Sequence, residues 1–397
     1  MIRSRTFAFQ RRNIGVGALV ISALAMLLGS VSATVARAQA AGDLITGAKL
    51  GAVYALTGPL AIYSPPAKNG IALAVADLNA KGDFKLEIDL QDDRSTKDDV
   101  INVYQKFIQR DNVLAIFGPM SGGQAFAATP LAQKAGVPVM LTTVATPGVT
   151  GVGDYVFRTS VESPMIIPGT VKKAKATLGA SKVAVIYAND DQFSVGEFKA
   201  FDAALKAEGL QVLTIETVRT GDVDFSAQLT KIKSLNPDTL VICTQGQEAV
   251  GIMTQARKLG LEKVHFLGGN SFNSAGVVKE SGNAMAGALS ATPWFISMSH
   301  PKNVEFVKKY REKFGVDPDW LAAQSYDGVS IVKQALQSAK ILKTDSVATA
   351  RIKLRNALAI IKSYDGVLGH IKFTSGRDPI LAGAIIKVEN GKHVLAP

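Results

Sequence analysis

The sequence predicts an α/β protein of two doubly wound parallel-sheet lobes, and three observations lead there. Short β-branched runs alternate with longer helix-periodic segments. That alternation runs from residue 49 to about 159 and restarts from 182 to about 268, and a chain of 397 residues exceeds what one hydrophobic core usually organises. Residues 50–56, 86–90, 113–117, 183–187, 212–218 and 240–243 read as strands buried on both faces, as in parallel sheets. Between them, Ile71, Val75 and Leu78, then Val100, Val103 and Phe107, Phe198, Phe201 and Leu205, and Ile252, Ala256 and Leu259 keep the spacing that puts apolar side chains on one helical face. Helices stop where the pattern meets Gly82, Gly136, Gly209, Gly260 and Gly315, as left-handed C-caps would make them. After His300 the pattern changes to long helices over 303–314, 321–339 and about 347–362. Residues 369–373 and 384–388 then read as short strands around a turn at Gly376.

The first 40 residues read as a cleaved export signal. Arg3, Arg5, Arg11 and Arg12 precede an apolar run over 14–28, and small residues follow to Ala36-Arg37-Ala38, with cleavage after Ala38 or Ala40 equally consistent. The apolar run is interrupted by glycine and serine and is too short for a spanning helix. The lone cysteine, Cys243, lies far from the cleavage site, so no lipid anchor is expected there. It reads as a buried strand thiol without a disulfide partner. A periplasmic location is expected.

The chain carries 44 Lys+Arg against 33 Asp+Glu. Five arginines leave with the signal, which lowers the net charge from +11 to +6. The remaining lysines are scattered singly along helices, which argues against nucleic acid as a partner. His265, His300, His370 and His393 are too far apart for a local metal motif. Ser330 and Lys333 match a four-residue pattern of acyl-serine enzymes without its companion motifs. Neither a catalytic nor a metal site is expected, and no cofactor is implied.

Binding has better support. Gly118-Pro119-Met120-Ser121-Gly122-Gly123 follows the strand over 113–117 and opens a helix, placing backbone N–H groups and the Ser121 hydroxyl where they can hold a carboxylate. The strand over 137–141 runs into Thr142, Thr143, Ala145 and Thr146, a second donor-rich loop at the same sheet edge.

The order of Leu56-Thr57-Gly58-Pro59, Asn69-Gly70, Gly118-Pro119, Ala135-Gly136-Val137-Pro138, Val156-Phe157-Arg158-Thr159, Asp224-Phe225-Ser226, Asn236-Pro237-Asp238 and Tyr326-Asp327 resembles the periplasmic leucine/isoleucine/valine-binding family of ABC-importer receptors. The resemblance implies a type I periplasmic binding fold: two lobes, a three-strand hinge near 159–163, 291–294 and 371–376, and closure around one ligand. The lobes are then 43–160 with 293–371, and 161–292 with 372–397. Partners are a membrane permease and its ATPase, and a monomer is expected. A sensor docking on a membrane receptor is the alternative class.

Carried over residue by residue, the resemblance places the carboxylate loop on Ser121, Gly122 and Gly123. It puts a second loop on Thr143, Ala145 and Thr146, and a cleft tyrosine on Tyr63. The two acids that meet an amino acid's ammonium in the family are replaced here by Ser163 and Asn270, and the usual tyrosine becomes Phe193. Burying an ammonium without a counter-charge costs several kcal/mol. The expected ligand is therefore an aromatic, branched or keto acid, with a branched-chain amino acid as the alternative should Glu162 or Asp190 supply the missing charge.

Overall fold

The computed structural model describes residues 42–396, and the expected signal segment lies outside them. No helix among the described residues is long and apolar enough to cross a membrane. Gly42 to Leu44 meet the segment from Leu342 to Thr344 through an antiparallel bridge between Leu44 and Leu342 and a 2.8 Å bond from the Lys343 N–H to the Asp43 carbonyl. Ile45–Ile341 and the residues from Asp345 onward form one compact unit, which contains both lobes.

The first lobe begins β1 (Gly47–Tyr54), α1 (Ser64–Asn79), β2 (Lys85–Asp92), α2 (Lys97–Gln105), β3 (Ile116–Phe117), α3 (Gly122–Lys134), β4 (Val139–Leu141) and β5 (Val156–Arg158). Its strands form one parallel sheet in the order β2-β1-β3-β4-β5. The second lobe follows as α4 (Ser163–Leu178), β6 (Lys182–Ala188), α5 (Gln192–Ala207), β7 (Gln211–Val218), α6 (Ser226–Ser234), β8 (Thr239–Cys243), α7 (Gly246–Lys258), β9 (His265–Gly268), α8 (Ala275–Ser281) and β10 (Leu289–Thr292). The chain then makes α9 (Pro301–Phe314), α10 (Trp320–Ser338), α11 (Val347–Ala359), β11 (Ser363–Gly366), β12 (Gly369–Phe373), β13 (Pro379–Ile380), β14 (Ala384–Glu389) and β15 (Lys392–Leu395).

Five of the second lobe's strands are parallel, in the order β10-β9-β8-β6-β7, and β14 and β15 extend that sheet antiparallel at its β10 edge. The mixed α/β architecture with parallel sheets is the one the sequence predicts. Two details differ. The strand expected over 113–117 shortens to Ile116–Phe117, because its first half climbs out of a π-helical turn over Lys106–Arg110. The strands expected around Gly376 do not pair with each other: β12 joins a small antiparallel sheet with β11 and β13, while β14 pairs with β10. The passage between them thus falls after β13, later than residues 371–376.

Burial on both faces explains the apolar strand runs. In β1, Leu50, Ala52 and Tyr54 pack with α1 and α10, while Val53 faces the other way into a cluster with Val100, Phe107 and Ile116. The five expected glycine caps all take the left-handed conformation, with φ between 65° and 89°. Gly70 of α1 lies against the Ala322 carbonyl of α10 so closely that a Cβ has no room, which locks the first lobe's outer layer onto α10.

Arg158, at the end of β5, is fully buried. Its guanidinium pairs with Glu162 and, at 2.6 Å, with Asp378, and donates to the Thr146 carbonyl at 2.9 Å. One side chain thereby ties the start of the first passage to the chain that leads toward the second lobe. Removing one partner of a buried ion pair strands the other charges, at a cost of about 3–5 kcal/mol. Arg158→Met should lower stability to urea unfolding by about 3 kcal/mol. A loss near zero would show that this network contributes nothing net.

Candidate functional site: a cleft between the two lobes

Strand ends of both lobes converge on one cleft, as open α/β sheets place their ligands. Tyr63, Met120, Ser121, Gly122, Thr143, Val144 and Ala145 line it from the first lobe. Phe193, Gln245, Asn270 and Ser271 line it from the second, and Trp320 and Leu321 of α10 complete it. None of these side chains is charged.

Beyond β3 the chain passes Gly118-Pro119, a cis peptide, and reaches Ser121, the N-cap of α3. Ser121 Oγ accepts the Gln124 N–H at 3.4 Å and Gln124 Oε1 accepts the Ser121 N–H at 3.3 Å. This reciprocal cap commits the Ser121 hydroxyl, which the sequence reading had offered to a ligand. The first-turn amides of Gly122 and Gly123 have no intrahelical carbonyl to bond. Gly122 faces the Thr146 side chain, which fills the space a Cβ would take. Thr143 Oγ1 donates to the Pro119 carbonyl at 3.0 Å, so it braces the loop from behind.

Seven of the ten expected site residues line the cleft: Tyr63, Ser121, Gly122, Thr143, Ala145, Phe193 and Asn270. Gly123, Thr146 and Ser163 do not. Gly123 faces the Lys97 side chain. Thr146 packs under Gly122, and Ser163 is buried behind Asn270, accepting its Nδ2–H at 3.2 Å. The two acids considered as replacement counter-charges lie elsewhere. Glu162 pairs with Arg158, and Asp190 accepts from the Thr220 N–H and hydroxyl.

Sequence reasoning missed Met120, Val144, Gln245, Ser271, Trp320 and Leu321 as lining residues, and it missed Glu197 behind them. Gln245 follows the end of β8 and Ser271 that of β9, so the strand-end rule that led to Ser121 and Thr143 extends to both. Glu197 carried its own signal: it stands between Phe193 and Phe201 at four-residue spacing, a carboxyl on an apolar helical face.

Several polar atoms at the cleft are buried without a hydrogen-bond partner, among them Tyr63 Oη, Ser271 Oγ and Trp320 Nε1, which come from three separate segments. Burial, reinforced by Glu197, Glu248 and Asp191, pushes the Tyr63 phenol well above its ordinary value and keeps it a neutral donor. Unpartnered buried polar groups cost about 1–3 kcal/mol each, so their convergence marks a place built to receive acceptors. The Ser330–Lys333 pattern has another use: Ser330 donates to the Tyr326 carbonyl and buried Lys333 binds the Leu78 carbonyl and Asp83. Cys243 is buried at the end of β8, where burial raises its thiol well above the ordinary range.

Residues 47–392 match the periplasmic binding protein family. The chain belongs to that family. Among its relatives, Leu/Ile/Val-binding protein homolog 7 of Brucella suis is 26% identical over 339 residues, 81% of this chain and 82% of that one. The leucine binding protein LivK of Thermotoga maritima is similar in structure, with a TM-score of 0.82 and 27% identity over 88% of this chain and 98% of that one. A solute binding protein of an ABC transporter from R. palustris, solved with benzoate, shares the fold at a TM-score of 0.79 and 22% identity, covering 88% of this chain and 95% of that one.

In this binding protein the lobes meet tightly at the cleft. Gly246, the first residue of α7, faces Tyr63 of the first lobe, and a Cβ there would lie 2.8 Å from the Tyr63 oxygen and 2.8 Å from Val277 Cγ2. Gly246→Ala should therefore obstruct the lobes' approach and also crowd Val277 within the second lobe. The expected result is ligand affinity at least about tenfold weaker by calorimetry, with a lower ligand-free melting temperature from the crowding of Val277; unchanged affinity would show that this approach is not needed for binding.

Proposed function

We propose that the chain is the periplasmic substrate-binding component of an ABC importer and that it captures a small carboxylate by hinge closure between its lobes. The observation that carries this reading is the chemistry of the cleft: donor groups without partners and no charged side chain in the lining. Tyr63 Oη, Ser271 Oγ, Trp320 Nε1 and the first-turn amides of α3 can all donate to a carboxylate, and the positive end of the helix dipole favours it. An ammonium would lose its hydration in the same space with no acid lining it. Phe193, Trp320, Met120 and Leu321 offer apolar walls to a ring or a branched chain, so aromatic, branched and keto acids suit the site. A ligand touching both lobes favours the closed form, which a permease and its ATPase then read.

A branched-chain amino acid is the second reading. The names of the relatives favour it, as does the presence of Asp191, Glu197 and Glu248 close enough to act on Tyr63.

The deciding test is a thermal-shift screen of periplasmic protein, unfolded and refolded to strip carried-over ligand. Benzoates and branched keto acids are compared with leucine, isoleucine and valine. At a thousand times its dissociation constant a ligand adds about 4 kcal/mol to folding, enough to move the curve by several degrees. A shift with the acids and none with leucine is expected; a larger shift with leucine or valine establishes the second reading.

A further inference from the structure

Glu197 of α5 is the most deeply buried carboxyl near the cleft, with no exposure, yet it does not line it. Its Oε1 accepts the Asn270 N–H at 2.7 Å and the Ser163 hydroxyl at 3.4 Å. The Ser163 oxygen accepts Asn270 Nδ2 at 3.2 Å, and Asn270 Oδ1 accepts from Asn273 at 3.4 Å. Glu197 thus holds both the backbone and the side chain of the second lobe's wall residue, one directly and one through Ser163. The carboxyl lies against Gly269, where any Cβ would collide with it, so the residue before Asn270 makes room for this acid. Its Oε2 is buried without a partner, and no cation among the described residues pairs with it.

Resting on the carboxylate reading, we propose that Glu197 sets the specificity of the cleft by its protonation. As the neutral acid it fixes Asn270 and leaves the second lobe's wall uncharged, so that the site takes a carboxylate; as the carboxylate it turns that wall against one. Several observations support this assignment. A full charge at this depth has no counter-ion, which penalises ionisation, and burial raises the Glu197 carboxyl to about 8. The titratable groups facing it are Asp191 on its own helix, Cys243 from β8 and Tyr63 from the first lobe, with Glu248 of α7 acting on the same tyrosine. Tyr63 and Cys243 are both pushed up by burial, so neither supplies a positive charge to offset an ionised Glu197. Glu197 acts through Asn270 and is a positioning residue, one that also controls the local charge.

The sign follows from the protonated form being the competent one. Binding is at full strength well below about pH 8 and weakens as pH rises through that value, about tenfold between pH 7 and pH 9 as the competent fraction falls. Binding at pH 8.5 then takes up a proton, which shows as a dependence of the calorimetric heat on the buffer's ionisation enthalpy.

The experiment titrates benzoate, 4-methyl-2-oxopentanoate and leucine into wild-type protein and Glu197→Gln from pH 6.5 to 9.5, in two buffers of different ionisation heat. Glu197→Gln keeps the shape and the acceptor oxygen, and its melting temperature verifies the fold. The expected result is that at least one of the two acids binds, loses affinity at alkaline pH and takes up a proton, and that Glu197→Gln binds it with no such dependence. An acid that binds wild type with a flat profile overturns this proposal and leaves the carboxylate reading standing. Leucine binding that Glu197→Gln abolishes makes Glu197 an ammonium's counter-charge and overturns both, as does a failure of both acids to bind. Infrared titration of the ligand-free protein reads the carboxyl directly. A protonated carboxyl band absent from Glu197→Gln should disappear near pH 8, and its loss below pH 6 also overturns the proposal.

Discussion

Polar groups taken out of water must be given partners, and the region around the cleft is organised by that constraint. The groups behind the lining are paired within the protein. Tyr54 Oη meets Thr142 Oγ1 at 2.7 Å, Tyr104 donates to the Gly118 carbonyl at 2.7 Å, Thr143 bonds across to the Pro119 carbonyl of the neighbouring loop, and Ser121 bonds within its own. These bonds fix the two first-lobe loops while the atoms that face across the cleft, Tyr63 Oη and Ser271 Oγ among them, are left without partners. The contrast separates scaffold from reader more sharply than any single distance does. Because the supporting bonds are already made, a ligand arriving there meets donors whose orientation is set, and loses less to ordering them.

The passages between the lobes obey the same constraint at their ends. Arg377, at a left-handed φ of 70°, donates to the carbonyls of Val156, Thr150 and Gly153, and Thr150 Oγ1 donates to Asp378, the partner of Arg158. Asp327 of α10 accepts the Val367 and Leu368 N–H groups at 2.9 Å each, and its burial raises it to about 7. The crossing segments are therefore pinned where they leave the first lobe.

The fold was legible because its strands and helices carry local patterns: two-sided apolar runs, helical spacing and glycine stops. The β12-to-β14 switch was not, because two alternating strands flanking a glycine look like a hairpin whether or not they pair, and only β10, some 90 residues earlier in sequence, decides it. At the site, strand-end loops pointed to Ser121, Gly122, Thr143 and Ala145, which line the cleft, since topology alone brings such loops to one edge, while Asn270 came from the family resemblance. Topology could not say which hydroxyls face the ligand. Ser121 and Thr143 turn theirs to the backbone, and Ser163 hides its own behind Asn270. Trp320 and Leu321 come from a helix that crosses over from the far end of the chain, so no local signal tied them to the cleft. Glu197 was legible in principle, as a charged residue between two buried phenylalanines, but its meaning depends on Gly269, a contact across 72 positions that no spacing rule encodes.

The division of the lining bears directly on how binding becomes movement. The first-turn amides belong to α3, Phe193 and Asn270 to the other lobe, and Trp320 to a helix packed on the first. No lobe holds all of these, so an open form offers a ligand part of the set and the closed form offers the whole. A ligand shifts a conformational equilibrium only by its difference in affinity for the two forms. Splitting the donors and walls between lobes makes that difference as large as the contacts allow. The close approach of Gly246 to Tyr63 is a contact of this kind between the lobes, setting the first lobe's phenol against the first residue of α7 in the second.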